Sequence, residues 1–422
     1  MKFAFVTSRY GADITSGPEH ACRVLAEQVS SRHDVDVLTT CARNPRTWKN
    51  EYSEGNDRVR GALIRRFPVS QARDEQSFRQ YSERTLGGPH GRADEVEWLR
   101  RAGPWSTGLI DFIRRQHKSY DVLVFFCLSS PLTVEGAMLA PERTIIFPHL
   151  QLHPALRFDV CAEALTSVRA IGLLSGAERR LLRNYVRAAT QHEELVGIGI
   201  DPSPEQSYPR HQQDPADVVV DEELTAPSDS AEPESYLAGR GVPFRRRNRL
   251  YGPFALYGGR VEPDNSCEEM LDYFDTFAAT DGDTALALMG VKMMRVPEEP
   301  YIRLAGVLPE RQRMIAYEAA DVTIAPTVDD LLSQPLLESM AVGTPVLACA
   351  SNGAAVEHCR RANGGLYYSN REEFVESLRL LTTNSRLRNR LGENGRAYVK
   401  QHFRWEAVLG RFDRLVSKAR SK

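Results

Sequence analysis

Short apolar runs alternate with longer stretches of helical spacing along the first half of the chain. Strands of parallel sheets are apolar over most of their length because helices cover both faces of the sheet. This half therefore predicts an α/β domain with a parallel sheet. The runs predicted as strands are 2–8, 34–40, 62–69, 120–127, 144–148 and 170–174.

Turn and capping residues between these runs agree with that interpretation. Residues 17–31 lie between the first two predicted strands, have apolar side chains at helical spacing and begin with Gly17 and Pro18. Ser175 follows a later predicted strand and is a suitable N-cap for the helix after it. Strand, turn and helix thus repeat as a unit.

The same alternation restarts after residue 250, which predicts a second doubly wound sheet. Two such sheets facing each other would create a cleft, and open parallel sheets bind ligands at the carboxyl ends of their strands. The elements predicted here are strands 254–259, 284–289, 303–307, 321–325, 345–349 and 365–368, and helices 371–382, 386–400 and 404–419.

A polar segment rich in Pro, Ser, Asp and Glu separates the two halves and ends in the basic run 245–249. Few of its residues could join a core, which favours a solvated connector; the alternative is that the arginines contact a phosphate or an anionic membrane surface. We predict an N-terminal Rossmann-like domain at 1–195, a linker with a charged, partly flexible insertion at 196–252, a C-terminal Rossmann-like domain at 253–402, and a final helix at 403–422.

Composition narrows the functional class. Hydrophobic residues make up 42% and charged residues 26%, as in ordinary globular proteins, and a net charge of −2 gives no basic field for nucleic acid. The cysteines form no CxxC pair and the histidines no cluster, so we predict reduced thiols and no metal site. The sequence shows no membrane-spanning run, which predicts a cytoplasmic protein, or one peripheral at the inner membrane face.

The strongest chemical signal is the segment 321–349. It predicts a buried strand, a loop with Asp330, a helix with Glu338 that stops at Gly343, and a second buried strand. Both carboxylates can then face one cleft, where a carboxylate that accepts two hydroxyl hydrogen bonds recognises sugars or ribose selectively. The structural alternative is a helix whose Glu is merely solvated.

This segment resembles the E-x7-E region of retaining GT-B glycosyltransferases, most closely glycosyltransferase family 4. The resemblance implies two Rossmann-like domains facing across a cleft, with Glu338 on the ribose of a nucleotide-sugar donor and Asp330 on hydroxyls of the transferred sugar. It also implies that no cofactor is needed, and that the helix at 403–422, whose start at Phe403 is similar to that of the family's last helix, crosses back to the first domain. The chain departs from the family pattern, since Asp330 replaces a Glu, and Leu331, Leu332 and Ser333 stand where the family has the donor-binding Gly-Phe-Gly.

A second match to the family is the turn after the predicted strand 254–259. Gly259 would let the backbone approach the donor, and Arg260 would neutralise the leaving diphosphate. Asn265 stands where the family has lysine, and its amide could still donate to phosphate. Lys292 is a candidate substitute cation, with an ordinary surface lysine as the alternative.

Three weaker matches complete the candidate site. Gly17 ends a strand-to-helix loop that resembles the family's Gly-Gly-x-Glu and would meet the donor phosphates. His149, favoured over His153, follows a predicted strand and would act at the catalytic face. Gly353 would lie near the phosphates. Each has a structural alternative: ordinary turn glycines and a satisfied histidine.

These matches predict a glycosyltransferase (hexosyltransferase type) of polysaccharide biosynthesis. It would use a UDP- or GDP-linked sugar, retain the anomeric configuration, need no metal, and act on a glycan, lipid-linked or small-molecule acceptor. One alternative, suggested by Asn265 and Ser333, is a catalytically weakened subunit that only binds sugar nucleotides. Another is a nucleotide-sugar epimerase or phosphorylase on the same scaffold.

Overall fold

The computed structural model describes residues 1–14, 17–150, 153–185, 192–201, 241–280 and 282–420. The chain divides into two compact units. The first comprises Met1–Gly199 and Trp405–Lys422, and the second comprises Ile200–Arg404. Within the described ranges, we find no helix both long enough and apolar enough to cross a bilayer.

The first unit is built on a sheet of order β3-β4-β2-β1-β5-β6-β7-β8, in which only the β3–β4 pairing is antiparallel. Its strands are β1 (Lys2–Val6), β2 (Asp34–Thr40), β3 (Gly55–Val59), β4 (Ala62–Phe67), β5 (Val122–Phe126), β6 (Thr144–Phe147), β7 (Ala170–Leu173) and β8 (Glu193–Leu195). Its helices are α1 (Gly17–Ser30), α2 (Glu75–Gly87), α3 (Arg92–Ala102), α4 (Thr107–Gln116), α5 (Pro131–Ala137), α6 (Asp159–Ser167) and α7 (Gly176–Tyr185).

The second unit has a parallel sheet of order β11-β10-β9-β12-β13-β14. Its strands are β9 (Phe254–Gly258), β10 (Ala285–Met289), β11 (Ile302–Gly306), β12 (Val322–Ala325), β13 (Val346–Cys349) and β14 (Gly365–Tyr368). Its helices are α8 (Val242–Arg247), α9 (Cys267–Ala278), α10 (Glu310–Ala319), α11 (Gln334–Val342), α12 (Gly353–Ala362), α13 (Arg371–Thr383) and α14 (Ser385–His402).

Among the parallel strands of each sheet, the strand order reverses direction once. In the first sheet the reversal lies between β1 and β5, and in the second between β9 and β12. Loops that leave the two strands of such a pair diverge to opposite faces, which opens a crevice at their carboxyl ends. The prediction of two doubly wound α/β domains is thus confirmed, and each sheet has one switch point for a ligand.

The last helix, α15 (Trp405–Arg420), belongs to the first unit. Phe412 packs its ring against Phe3, Phe5 and Phe147, with centroids 5.9, 6.3 and 6.4 Å away. Arg411 donates from Nε to the carbonyl of Val196 at 2.8 Å. The C-terminal segment therefore covers strands that lie more than 200 residues earlier in the chain.

Two strands of the first sheet were not predicted from the sequence pattern. β3 is exposed along its length and pairs antiparallel with β4 at the sheet edge, and β8 is a short edge strand. These two strands bury little apolar surface, so their sequences lack the apolar runs that identify central strands.

The basic run 245–249 does not form a solvated connector throughout. It lies partly in α8, where Arg245 is buried and donates to the carbonyls of Gly252 and Ala319 at 2.8 and 2.6 Å. Arg245 therefore holds the start of the second sheet rather than a phosphate or a membrane. The charged insertion predicted within the linker falls mostly on 202–240, outside the described residues.

Candidate functional site

Four candidate residues of the second unit lie beyond the carboxyl ends of its strands. Arg260 follows β9, Lys292 follows β10, Asp330 follows β12 and Gly353 follows β13. These four strands are neighbours in the order β10-β9-β12-β13 and run parallel, so their carboxyl ends share an edge. The β9–β12 switch point lies in the middle of this set, where ligands of doubly wound sheets bind.

Glu338 is the most constrained of the candidates. It lies on α11 and is 5% exposed. Arg313 of α10 forks onto its carboxylate, with Nε 2.9 Å from Oε2 and Nη2 2.8 Å from Oε1. Gln334 adds a hydrogen bond from Nε2 to Oε1 at 2.9 Å. Burial alone would lower the pKa of the Arg313 guanidinium. The negative charge and hydrogen bonds of Glu338 have the larger effect, so the pKa is raised.

Tyr317 reaches the same place from the next turn of α10. Its side chain is buried, and burial raises its pKa, helped by the negative charge of Glu338. A Cβ added to Gly258 would lie 2.3 Å from the Tyr317 hydroxyl. The last residue of β9 is therefore glycine because the tyrosine occupies the space of a side chain.

Asp330 is turned toward its own loop. Its Oδ1 accepts hydrogen bonds from the backbone N–H groups of Leu332 and Ser333, at 3.1 and 2.9 Å. Burial raises the pKa of the carboxyl, although these two hydrogen bonds oppose the shift. The Leu331 side chain is partly buried, and those of Leu332 and Ser333 are buried. The N–H groups of Leu332 and Ser333 are thus engaged within the loop itself.

Asn352 connects this loop to the helix that begins at Gly353. Its Oδ1 accepts from the N–H groups of Ala354 and Ala355, both at 3.0 Å, and so caps α12. Its Nδ2 donates to the carbonyls of Thr327 and Asp330, at 2.7 and 3.2 Å. The positive end of α12 is therefore fixed beside the Asp330 loop, where it favours a negative ligand.

In the turn after β9, Arg260 is exposed, Glu262 is buried and Asn265 is partly buried. Arg260 has a side chain that is 55% exposed and pairs with Glu262 at 2.9 Å. Asn265 donates from Nδ2 to the Arg260 carbonyl at 2.8 Å and to Glu262 at 3.2 Å. The Asn265 amide was expected to donate to a phosphate. In this arrangement it donates to oxygens of its own turn instead, because the side chain is short.

Lys292 lies next to this turn. Residues Val261 and Lys292 form a parallel bridge, and the N–H of Met293 donates to the Val261 carbonyl at 2.9 Å. Lys292 is exposed. Gly259 and Gly290 come so close that a Cβ on Gly290 would lie 1.8 Å from the Gly259 oxygen. Backbone contact between two glycine turns thus brings Arg260 and Lys292 to one end of the sheet.

Two serines in these loops have a left-handed backbone. Ser266 has φ of 56° and Ser333 has φ of 48°, a region that favours glycine. Ser333 stands where the family that the sequence resembles has a glycine. Both loops therefore have a left-handed backbone conformation that serine adopts at a higher energetic cost than glycine.

Replacing Ser266 by glycine is expected to raise the free energy of unfolding by about 0.5–1 kcal/mol, because it removes the cost of a left-handed side chain. Its hydroxyl caps no N–H of the described part of α9, so little is lost. Urea denaturation measures the change. Ser417→Gly, within the right-handed helix α15, is the control and should lower stability. A loss at both positions would contradict the prediction.

Candidate residues of the first unit lie at the carboxyl edge of the first sheet. Gly17 begins α1 with φ of 76°, and Glu19, in the first turn, is 6% exposed. Arg9 pairs with Glu19 at 3.1 Å and also donates to the Arg43 carbonyl at 2.8 Å. The loop after β1 is thus fixed by a partly buried ion pair.

His149 follows β6 with φ of 47°. Burial lowers the pKa of its imidazole, although the negative charge of Glu19 opposes the shift. The buried Glu178 of α7 holds this loop by accepting backbone N–H groups, including that of Leu150 at 3.0 Å. Burial raises the pKa of Glu178 to about 7. His153 instead accepts from the Ala155 N–H at 3.1 Å and so has a capping role.

Sequence reasoning missed the residues that hold the candidates in place. They lie on elements that it identified only as helices or turns, and a polar residue within an amphipathic helix gives no sign of which face its partner occupies. The predicted N-cap Ser175 is confirmed, since its Oγ accepts from the Glu178 N–H at 3.1 Å. The missed residues are Glu19, Glu178, Arg313, Tyr317, Gln334 and Asn352.

Residues 245–398, all within the second unit, match the family model described as Glycosyl transferases group 1. A relative from Xenopus tropicalis, named Glycosyltransferase 1 domain-containing protein 1, is 24% identical over 206 residues, which cover 46% of this chain and 57% of that protein. A D-inositol 3-phosphate glycosyltransferase from Corynebacterium aurimucosum is 25% identical over 124 residues, or 29% of each chain. The chain thus aligns with only part of the length of these relatives.

Solved structures resemble the whole chain in fold. Sucrose-phosphate synthase from Thermosynechococcus elongatus superposes with a TM-score of 0.66 at 16% identity, over 99% of this chain and 98% of that one. Anabaena HepE, solved in complex with UDP and glucose, gives a TM-score of 0.67 at 13% identity, over 99% of both chains. The two parallel-sheet, Rossmann-like domains of this chain are therefore those of the GT-B fold.

Proposed function

We propose that this chain is a glycosyltransferase that transfers a sugar from a UDP- or GDP-linked donor to a glycan, lipid or small-molecule acceptor. The observation that carries the proposal is the buried carboxylate of Glu338, whose charge acts on Tyr317. The Tyr317 hydroxyl lies against Gly258 at the carboxyl end of β9, the strand that Arg260 follows, and Lys292 follows the neighbouring β10. A carboxylate for ribose hydroxyls and two cations for a diphosphate are the complementary groups that such a donor requires. The family match covers the same segment.

In the proposed reaction the bond between the anomeric carbon and the β-phosphate oxygen breaks, and its electron pair leaves with the nucleoside diphosphate. The acceptor hydroxyl oxygen forms the new bond to the anomeric carbon, and its proton passes to an oxygen of the departing diphosphate. Negative charge therefore grows on the β-phosphate, where Arg260, Lys292 and the positive end of α12 would stabilise it. We propose that these groups suffice without a metal ion, and that the anomeric configuration is retained.

A thermal-shift panel of UDP, GDP and their sugar conjugates tests donor binding. A ligand at a hundred times its Kd stabilises the folded state by about 2.7 kcal/mol, so the correct base should raise the melting temperature clearly. The matching free sugars, which lack the diphosphate, are the controls. If no nucleoside diphosphate shifts the melting temperature at millimolar concentration, the proposal is wrong.

Specific contacts favour one second candidate, a subunit that binds sugar nucleotides without transferring them. The N–H groups of Leu332 and Ser333 are engaged by Asp330, and the Asn265 amide by its own turn. Both features reduce the number of hydrogen-bond donors at the end of the site proposed for the diphosphate. A donor that binds by calorimetry, yet is neither hydrolysed nor transferred to any acceptor in a broad panel, would favour this candidate.

A further inference from the structure

The Glu338 carboxylate has most of its acceptor positions filled by the protein. A carboxylate offers about four lone-pair positions on its two oxygens. Oε1 accepts from Arg313 Nη2 and Gln334 Nε2, and Oε2 accepts from Arg313 Nε. Counting contacts from the described residues, one position therefore remains for a ligand, and it lies on Oε2.

We propose that Arg313 is a positioning residue that makes Glu338 read a single hydroxyl of the donor ribose through Oε2. The proposal rests on the function proposed above. Two parallel N–H bonds fix the carboxylate plane, since a guanidinium fork and a carboxylate are planar and match in geometry. A hydroxyl can then approach only from the open side of Oε2, and the enzyme distinguishes ribonucleotide from deoxyribonucleotide donors at that one position.

The position of the pair supports a role beyond stability. Arg313 comes from α10 and Glu338 from α11, the two helices that flank β12 of the switch point. Their side chains are 21% and 6% exposed, so the carboxylate is largely removed from water while the guanidinium keeps an open face. A buried ion pair adds little stability compared with apolar packing, which makes orientation of the carboxylate the better explanation for this one.

A lysine at position 313 separates orientation from charge. Arg313→Lys keeps a cation beside Glu338 but replaces the fork by a single rotating ammonium, so the carboxylate loses its fixed plane. The matched control is Arg311→Lys, an exposed position on the same helix. Melting temperatures of both variants verify that each is folded.

Isothermal titration of the full chain with UDP, 2′-deoxy-UDP and 3′-deoxy-UDP, or with the guanosine series if GDP is the ligand, provides the readout. One hydrogen bond from a hydroxyl to a carboxylate corresponds to roughly tenfold or more in affinity. We expect one deoxy analogue to bind about tenfold more weakly than the parent, and the other to bind nearly as well. In Arg313→Lys this discrimination should fall to within about twofold, and in Arg311→Lys it should persist.

Each contrary outcome identifies what failed. Full discrimination in Arg313→Lys overturns the role of the fork, and equal losses for both deoxy analogues in the unmodified protein overturn single-hydroxyl recognition. Equal affinity for the parent and both analogues shows that Glu338 reads no ribose hydroxyl, while donor binding itself stands. If the unmodified protein binds none of these nucleotides, the proposed function fails together with the inference.

Discussion

Replacing Glu338 by alanine should reduce donor-dependent kcat/KM by about tenfold or more, because the ribose loses its hydrogen bond to a charged acceptor. It should also lower the free energy of unfolding by roughly 3 kcal/mol, since Arg313 is left in a largely buried position without its partner. Steady-state kinetics with saturating acceptor and urea denaturation measure the two effects. Their combination distinguishes Glu338 from a solvated glutamate, whose loss would change neither.

Glu376→Ala is the matched control for this experiment. Glu376 lies on α13 of the same unit, its side chain is 68% exposed, and its ion pair with Arg379 is a surface pair of little energetic value. We expect unchanged kinetics and a stability change of less than about 0.5 kcal/mol. Wild-type turnover in Glu338→Ala would remove Glu338 from the donor site and contradict the proposed function.

The second large effect is expected at Gly290. A methyl group there would lie 1.8 Å from the Gly259 carbonyl oxygen, and the backbone has φ of 140°. Neither partner is a flexible side chain, so Gly290→Ala must move the two turns apart. We expect a loss of about 3 kcal/mol or more in unfolding free energy, from overpacking and backbone strain together.

Gly306→Ala separates the effect of the steric clash from the effect of backbone strain. Gly306 also has a left-handed backbone, with φ of 72°, but a Cβ there meets nothing within 4 Å among the described residues. It should cost only about 1 kcal/mol in urea denaturation. Donor affinity should fall further in Gly290→Ala than in Gly306→Ala, because Arg260 and Lys292 follow the displaced turns. Equal stability losses in the two variants would show that the close backbone contact has no energetic weight.

The central strands were predictable because their signal is local. The predicted strands 34–40 and 365–368 coincide with β2 and β14, and the other predicted strands differ from the observed ones by one or two residues at their ends. A strand buried on both faces must be apolar along its length, and this requirement is visible without knowledge of its neighbours. β3 and β8 are edge strands with mostly polar sequences and were missed, whereas the edge strands β11 and β14 have apolar runs and were predicted.

The candidate site was predictable in its elements but not in its contacts. The spacing of Asp330 and Glu338, the stop at Gly343 and the turn at Gly259 can be read directly from the chain. That Asp330 would accept the N–H groups of its own loop could not be read, since an Asx turn and an outward-facing carboxylate have the same sequence.

The sequence alone thus determined two doubly wound sheets, the order of their elements and the loops that carry the candidate chemistry, because periodicity, caps and turns act over a few residues. Only the tertiary structure placed Arg313 on Glu338, 25 residues away, and Tyr317 against Gly258. The last helix, α15, was expected to join the first unit, but only the tertiary structure identified its partners there, more than 200 residues away. Such pairings depend on how helices pack over a sheet, and many sequences with the same local pattern would pack different side chains together.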